Sequence, residues 1–223
     1  MSTRTARQLR AFFDAMHDAY GPQHWWPART PTEVIIGAVL TQNTAWRNVE
    51  RAIDNLRRSK MLDWSRLRDV PIEQLAELIR PAGTYQVKAR RLKSFIAWLW
   101  DRYDGDLERM FATSLPALRE ELLTISGIGR ETADAILLYA GGLPTFVVDA
   151  YTARILHRHG LIDDSADYDE IKDAFESNLP ADVPYFNEYH ALLVQVGKQH
   201  CRPRPKCEGC PLEPFEHRVE GSE

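Results

Sequence analysis

Apolar residues recur at helical spacing along almost the whole chain. Leu9, Phe12, Phe13 and Met16 mark one such face near the start, and Leu92, Phe95, Ile96 and Leu99 mark another in the middle. Sustained alternation of apolar and polar residues, which a half-buried strand needs, is missing from the sequence. Helix start signals are frequent. Thr30-Pro31-Thr32-Glu33 sets a hydroxyl, a proline and an acid at the positions of a first turn, and predicts a helix running on to Leu56. Thr113-Ser114-Leu115-Pro116 opens a segment that runs to Leu123. Ser126-Gly127-Ile128-Gly129 precedes a helical stretch from Arg130 to Ala140, and Gly141-Gly142-Leu143-Pro144 stops it. The predicted fold class is all-α.

At 223 residues the chain is long enough for one large lobe or two small ones. Neither a repeat of solenoid period nor a low-complexity linker divides it, so any two-lobe split must use tightly packed boundaries. The longest apolar runs, Val34 to Leu40 and Ala135 to Ala140, are far too short to cross a membrane. The opening MSTRTARQLRAFFDAM is amphipathic, with Arg4, Arg7 and Arg10, and has no apolar core of signal-peptide length, so a cytoplasmic location is expected.

A net charge of −4 argues at first sight against a polyanionic partner. Its distribution changes that reading. From Asp163 to Glu176 seven acids stand against Lys172 alone, a net −6 that leaves the rest of the chain at +2. Lys88, Arg90, Arg91 and Lys93 crowd together within that remainder, as do Lys198, Arg202, Arg204 and Lys206. Each run is either a solvated face or a surface for phosphate.

Several motifs carry candidate chemistry. In Ile125-Ser126-Gly127-Ile128-Gly129 two glycines let the backbone turn and present amide groups at the start of a helix, with Arg130 and Thr132 as further donors at the same end. That is either a phosphate cradle or an ordinary turn. Asp149 follows the apolar Phe146-Val147-Val148 at a helix start, and is either an N-cap or a carboxylate at the rim of a cleft. All three cysteines, Cys201, Cys207 and Cys210, lie within ten residues, a spacing that suits a metal or cluster rather than a disulfide framework. Trp25, Trp26 and Trp46 are either core or aromatic walls of a pocket. For His24, His157 and His159 the spacing gives no reason to expect metal binding.

Taken together, these motifs resemble the endonuclease III superfamily of DNA base-excision glycosylases. ISGIGRETADAILLYAGGLPTFVVDAYTARIL is similar to its helix-hairpin-helix and catalytic-aspartate segment, and VIIGAVLTQNTAWRNVERAIDNL to the helix that carries its glutamine. IRPAGTYQVKARRL resembles its Gly-x-Tyr-x-x-Lys-Ala segment, and GKQHCRPRPKCEGCPL its iron–sulfur loop. The resemblance implies a six-helix lobe over residues 30–143 that contains the hairpin. It also implies a discontinuous helical lobe from 1–29 and 144–223 with the cysteine loop, and double-stranded DNA bearing a damaged, extruded base as the partner; a monomer is expected, since nothing in the sequence points to another state.

By position, the resemblance makes Asp149 the catalytic carboxylate, and Gln42 the residue that fills the hole left by the flipped nucleotide. Thr84 stands where the family often has a larger apolar wedge, and the hairpin from Ile125 to Gly129 would grip phosphate, with or without a bound monovalent cation. Lys88, Arg130 and Thr132 join this DNA-binding set. Bifunctional members carry a lysine where this chain has Glu131; a carboxylate cannot form the imine of the lyase step, so a monofunctional glycosylase is expected. Among family members the sequence is most similar to the 3-methyladenine glycosylases of endonuclease III type, with Trp25, Trp26 and Trp46 as the matching candidates for walls around a cationic purine. Another lesion, mismatched or oxidised, and a non-catalytic module that binds damaged DNA are the alternatives. The family's fourth cysteine position is occupied by Glu216, and the next residue, His217, offers a nitrogen instead. A [4Fe-4S] cluster on three cysteines and His217, a tetrahedral zinc, or an empty loop are the three possibilities for this segment.

Overall fold

The computed structural model describes residues 3–25 and 28–218; Trp26 lies outside the described residues. Among them the regular structure is entirely helical. The chain divides into two compact units, one formed by residues 28–143 and the other by 1–27 together with 144–223.

The 28–143 unit begins with α2 (Pro31–Thr41), following α1 (Thr3–Tyr20) of the other unit. Thr30 caps α2 by accepting the Glu33 amide, and every residue from Glu33 to Leu40 is buried, so this short apolar run is the core helix of its unit. Glu33, only 3% exposed, is compensated by the Arg57 guanidinium of α3 (Trp46–Arg58), at 3.2 Å from Nε and 2.9 Å from Nη2. The helix predicted to run unbroken to Leu56 is therefore two helices. The break falls at Gln42 to Ala45, where Asn43 takes a left-handed φ of 52° that no continuing α-helix accommodates. Next come α4 (Trp64–Asp69), α5 (Ile72–Leu78), a 3-10 turn (Arg80–Ala82), α6 (Tyr85–Tyr103) and α7 (Leu107–Phe111). α8 (Leu115–Leu123) and α9 (Arg130–Ala135) close the unit, α9 passing into a π turn at Ile136–Ala140. The apolar face of α6, Leu92, Phe95, Ile96 and Leu99, is fully buried, as its spacing demands.

The other unit gathers α1, α10 (Ala150–Arg158), α11 (Tyr168–Glu176), α12 (Val183–Gln199) and the cysteine-bearing loop. Its core is aromatic. Phe146 stacks on Phe175 with ring centroids 3.7 Å apart, and buried Tyr189 of α12 donates its hydroxyl to the Leu9 carbonyl of α1 at 2.7 Å. Part of the acidic run has local work: Asp167 and Glu170 form a capping box on α11, and Glu176 accepts from the Phe146 amide and from Lys172. No described helix is long and apolar enough to cross a membrane.

Candidate active site and nucleic-acid interface

The hairpin between α8 and α9 is built from turn bonds, Ile125 N to Leu122 O at 3.1 Å and Ile128 N to Ile125 O at 3.0 Å. Gly127 is required twice over: its φ is +90°, and a Cβ there would lie 2.3 Å from Cγ of Arg91. Gly129 differs, for its backbone is extended and a Cβ would meet nothing within 4 Å, so its contribution is open approach rather than turning. Arg119 of α8 grips fully buried Asp134 of α9 through two bonds, 2.8 and 3.1 Å, and fixes the helices on either side of the hairpin. Arg130 and Glu131 are exposed at the start of α9.

Three members of the expected DNA-binding set have their polar groups bound within the protein. Thr132 is buried and its hydroxyl accepts from the Gln42 carboxamide at 2.9 Å. Gln42 also donates to Gly127 O at 3.0 Å and accepts from Arg91, so in this state its carboxamide is bound to the hairpin. Lys88 is 1% exposed and its ammonium is consumed by Leu40 O, Thr44 Oγ1 and Ala82 O, which removes it from any phosphate surface. Lys93 donates to the carbonyls of Leu67, Arg68 and Val70 at the end of α4. The two ammonium groups of the first basic run thus cap orphan carbonyls, which charge counting alone does not reveal. Thr84 is exposed just before α6, as is Arg90 on it.

In the other unit, buried Phe146, Val147 and Val148 lead the chain to Asp149, the N-cap of α10. Its two oxygens do different work. Oδ1 accepts from the amide and hydroxyl of Thr152 at 2.8 and 2.9 Å, while Oδ2 faces Nε2 of buried His190 at 3.7 Å. Burial pushes the carboxyl upward, but His190 and the two Thr152 donors outweigh it and hold Asp149 below the ordinary carboxylate value. An anion kept ionised in a water-poor site is suited to stabilising a developing cation. Trp25 belongs to the same unit, half-buried, with Nζ of Lys198 at 5.5 Å from its ring. Trp46 opens α3 in the 28–143 unit and its indole donates to Glu50 at 2.9 Å.

The cysteine loop is anchored to α10. Arg154 donates to Cys201 O at 2.9 Å, and Arg158 to Arg202 O and Pro203 O at 2.7 and 3.0 Å and to the Cys201 sulfur at 3.3 Å. Cys201, Cys207 and Cys210 are free thiols and line one cavity with His159, His200 and His217. Each of these imidazoles directs Nδ1 at a backbone carbonyl, of Glu216, Lys206 and Phe215 respectively, at 2.7 to 3.0 Å, which leaves Nε2 as the ligand-capable nitrogen. Burial of His159 drops its pKa to about 4. Among the described residues no group of three His, Cys, Asp or Glu side chains is placed to hold a single metal ion. The three thiols and the three imidazoles are the donor types that a zinc ion or an iron–sulfur cluster takes.

Sequence reasoning missed Arg119, His190 and the two arginines of α10, and it placed Arg91 in a charged run without its bond to Gln42. Asp134, inside the hairpin motif, was a legible signal for Arg119, whereas the partners of His190 and Arg158 are 40 or more residues away.

Comparison with known proteins agrees with this geometry. The sequence profile of the HhH-GPD superfamily of base excision DNA repair proteins matches residues 36–181. A protein of Methanocaldococcus jannaschii, named provisionally as a DNA repair glycosylase, is 50% identical over 96% of this chain and 98% of its own length. Among solved structures, endonuclease III trapped as a covalent intermediate with DNA is similar at TM-score 0.79 and 28% identity, over 95% of this chain and 94% of that one. H. pylori 3-methyladenine DNA glycosylase bound to 1,N6-ethenoadenine is similar at TM-score 0.74 and 28% identity, over 87% of this chain and 97% of that one. With a helix-hairpin-helix in one unit and a helix-capping, ionised aspartate in the other, the chain belongs to the HhH-GPD superfamily and is a base-excision DNA glycosylase of endonuclease III-like fold.

Proposed function

We propose that this glycosylase is monofunctional and removes alkylated purines of the 3-methyladenine type from double-stranded DNA, hydrolysing the N-glycosidic bond of an extruded nucleotide without cutting the strand. The observation that carries the reading is the presence of an ionised, half-buried Asp149 together with a carboxylate, Glu131, at the position where a lyase needs an amine. Asp149 stabilises the sugar cation and orients water, and an N-alkylated purine, already cationic, leaves without strong acid assistance. Likeness to the H. pylori enzyme supports the alkylpurine substrate, with Trp25, Trp26 and Trp46 as aromatic contacts for the base. Gln42 and Thr84 would probe the duplex, and the Gly127 to Gly129 backbone with Arg130 would hold its phosphates. We assign a [4Fe-4S] cluster to Cys201, Cys207 and Cys210, with His217 as the fourth ligand; its contribution is structural, ordering the basic loop around it.

The test is base release from DNA treated with a methylating agent, with free bases separated by chromatography and strand scission followed in parallel. Release of 3-methyladenine without scission is expected, and Asp149→Asn should abolish it while duplex binding persists. Scission by the protein alone would overturn the monofunctional reading. The likeness to endonuclease III favours one second reading, a different lesion on the same catalytic apparatus. Release from an oxidised or mismatched duplex, and none from methylated DNA, would establish it.

A further inference from the structure

Lys88 is a charged side chain with almost no exposure, and its hydrogen-bond acceptors are all neutral oxygens. An ammonium has three donors, and here each finds an acceptor, so its burial is compensated as a cation site would be. Those acceptors come from two separate turns. Leu40 O, at 2.9 Å, and Thr44 Oγ1 flank the turn that carries Gln42 and the left-handed Asn43. Ala82 O, at 2.6 Å, precedes Gly83 and Thr84. Thr44 Oγ1 reinforces the junction by donating to the same Ala82 carbonyl at 2.7 Å. One helical turn further along α6, Arg91 packs on Gly127 and donates to Gln42. We propose that Lys88 is a positioning residue: its ammonium clips the 41–44 turn to the 82–84 turn, so that Gln42 and Thr84 meet the duplex as one rigid pair. The inference rests on the reading that these two residues probe DNA.

Burial, and then the neighbouring Arg91 guanidinium, push the Lys88 pKa down, in keeping with a group that is held and not solvated. A phosphate-binding lysine and a clip have different signatures. Removing a phosphate-binding charge weakens binding to every duplex alike and lowers the salt slope by about one, whereas removing a clip weakens only recognition of the distorted site.

Full-length Lys88→Met and, separately, Thr44→Val would be compared with the wild type. The readouts are amide hydrogen exchange and fluorescence anisotropy on an undamaged duplex and on one with a tetrahydrofuran abasic analogue. For Lys88→Met, exchange should accelerate together at 41–44 and 82–84, and preference for the abasic duplex should fall about tenfold. Affinity for undamaged DNA and its salt slope should not change. Thr44→Val should shift the same readouts in the same direction, less strongly, and it carries the test if Lys88→Met does not fold. Accelerated exchange in neither turn, or in one alone, would overturn the clip, as would equal weakening on both duplexes with a reduced salt slope. A wild-type protein with no preference for the abasic duplex would refute the probing roles of Gln42 and Thr84, while the exchange result would still decide the clip.

Discussion

Asp149 serves as helix cap and as proposed catalyst with different oxygens, so neither sequence reading of this residue displaces the other. The cap fixes Oδ1 on Thr152 and leaves Oδ2 on the His190 side. Its depressed pKa gives a sign to acid sensitivity. A carboxyl held below its ordinary value of 3.8 contributes stability in full above that pH, and the contribution fades as pH falls through the lower folded value. Base release should therefore carry no acid limb from Asp149 at neutral or mildly acidic pH. His190→Phe keeps a ring but removes the group opposing burial, so the acid limb of single-turnover base release should move upward in pH. An unmoved limb would remove His190 from this role. Thr152→Val deletes the 2.9 Å hydroxyl bond and spares the amide bond; a loss of about 1 kcal/mol in urea unfolding is expected, with a smaller upward shift of the same limb.

Among the elements, the hairpin depends on the helices that flank it. Arg119→Met would leave Asp134 without its guanidinium partner at a position with no solvent access, a change that typically costs about 3–5 kcal/mol. Denaturant unfolding should show a loss of that size, with hydrogen exchange rising first at 124–129. Loss confined to another segment would show that the pair does not organise the hairpin. α10 has a comparable role in the other unit, since its N-terminus presents Asp149 and its Arg154 and Arg158 hold the cysteine loop. Oxidative removal of iron, followed by iron and sulfide analysis, should raise exchange at 201–212 and at the C-terminal end of α10 while leaving the hairpin unchanged. Protein purified anaerobically without iron or sulfide would remove the cluster assignment. Most elements were legible because their signals are local: α6 and the absence of strands among the described residues follow from apolar spacing, and α8 from the start signal at Thr113 to Pro116. The break between α2 and α3 was not, because apolar residues continue on both sides of a short turn whose carbonyl and hydroxyl groups are gripped by Lys88, 44 or more residues away.

On the scale of the whole molecule, the question is how a chain with net charge −4 holds a polyanion. Two basic runs are equally visible in the sequence, and tertiary structure separates them. The ammonium groups of Lys88 and Lys93 are spent on carbonyl and hydroxyl oxygens, whereas Lys198, Arg202, Arg204 and Lys206 are all exposed. The latter run surrounds Cys201, so the loop that we assign to the cluster also presents concentrated exposed charge. Counterion release then makes a quantitative demand: each phosphate neutralised by the protein adds about 0.9 to the slope of log affinity against log salt. Arg204→Gln with Lys206→Gln should lower that slope by about 0.9 for each phosphate that the pair neutralises, measured by anisotropy on an undamaged duplex over a range of salt. Lys93→Gln, which removes a formal charge of the same sign, should leave the slope unchanged because its ammonium caps α4. A slope that fell equally in both proteins would mean that overall charge governs binding, and one that fell in neither would mean that DNA does not engage the loop. A fall in the double variant alone would assign phosphate binding to the cysteine loop, on an otherwise acidic protein.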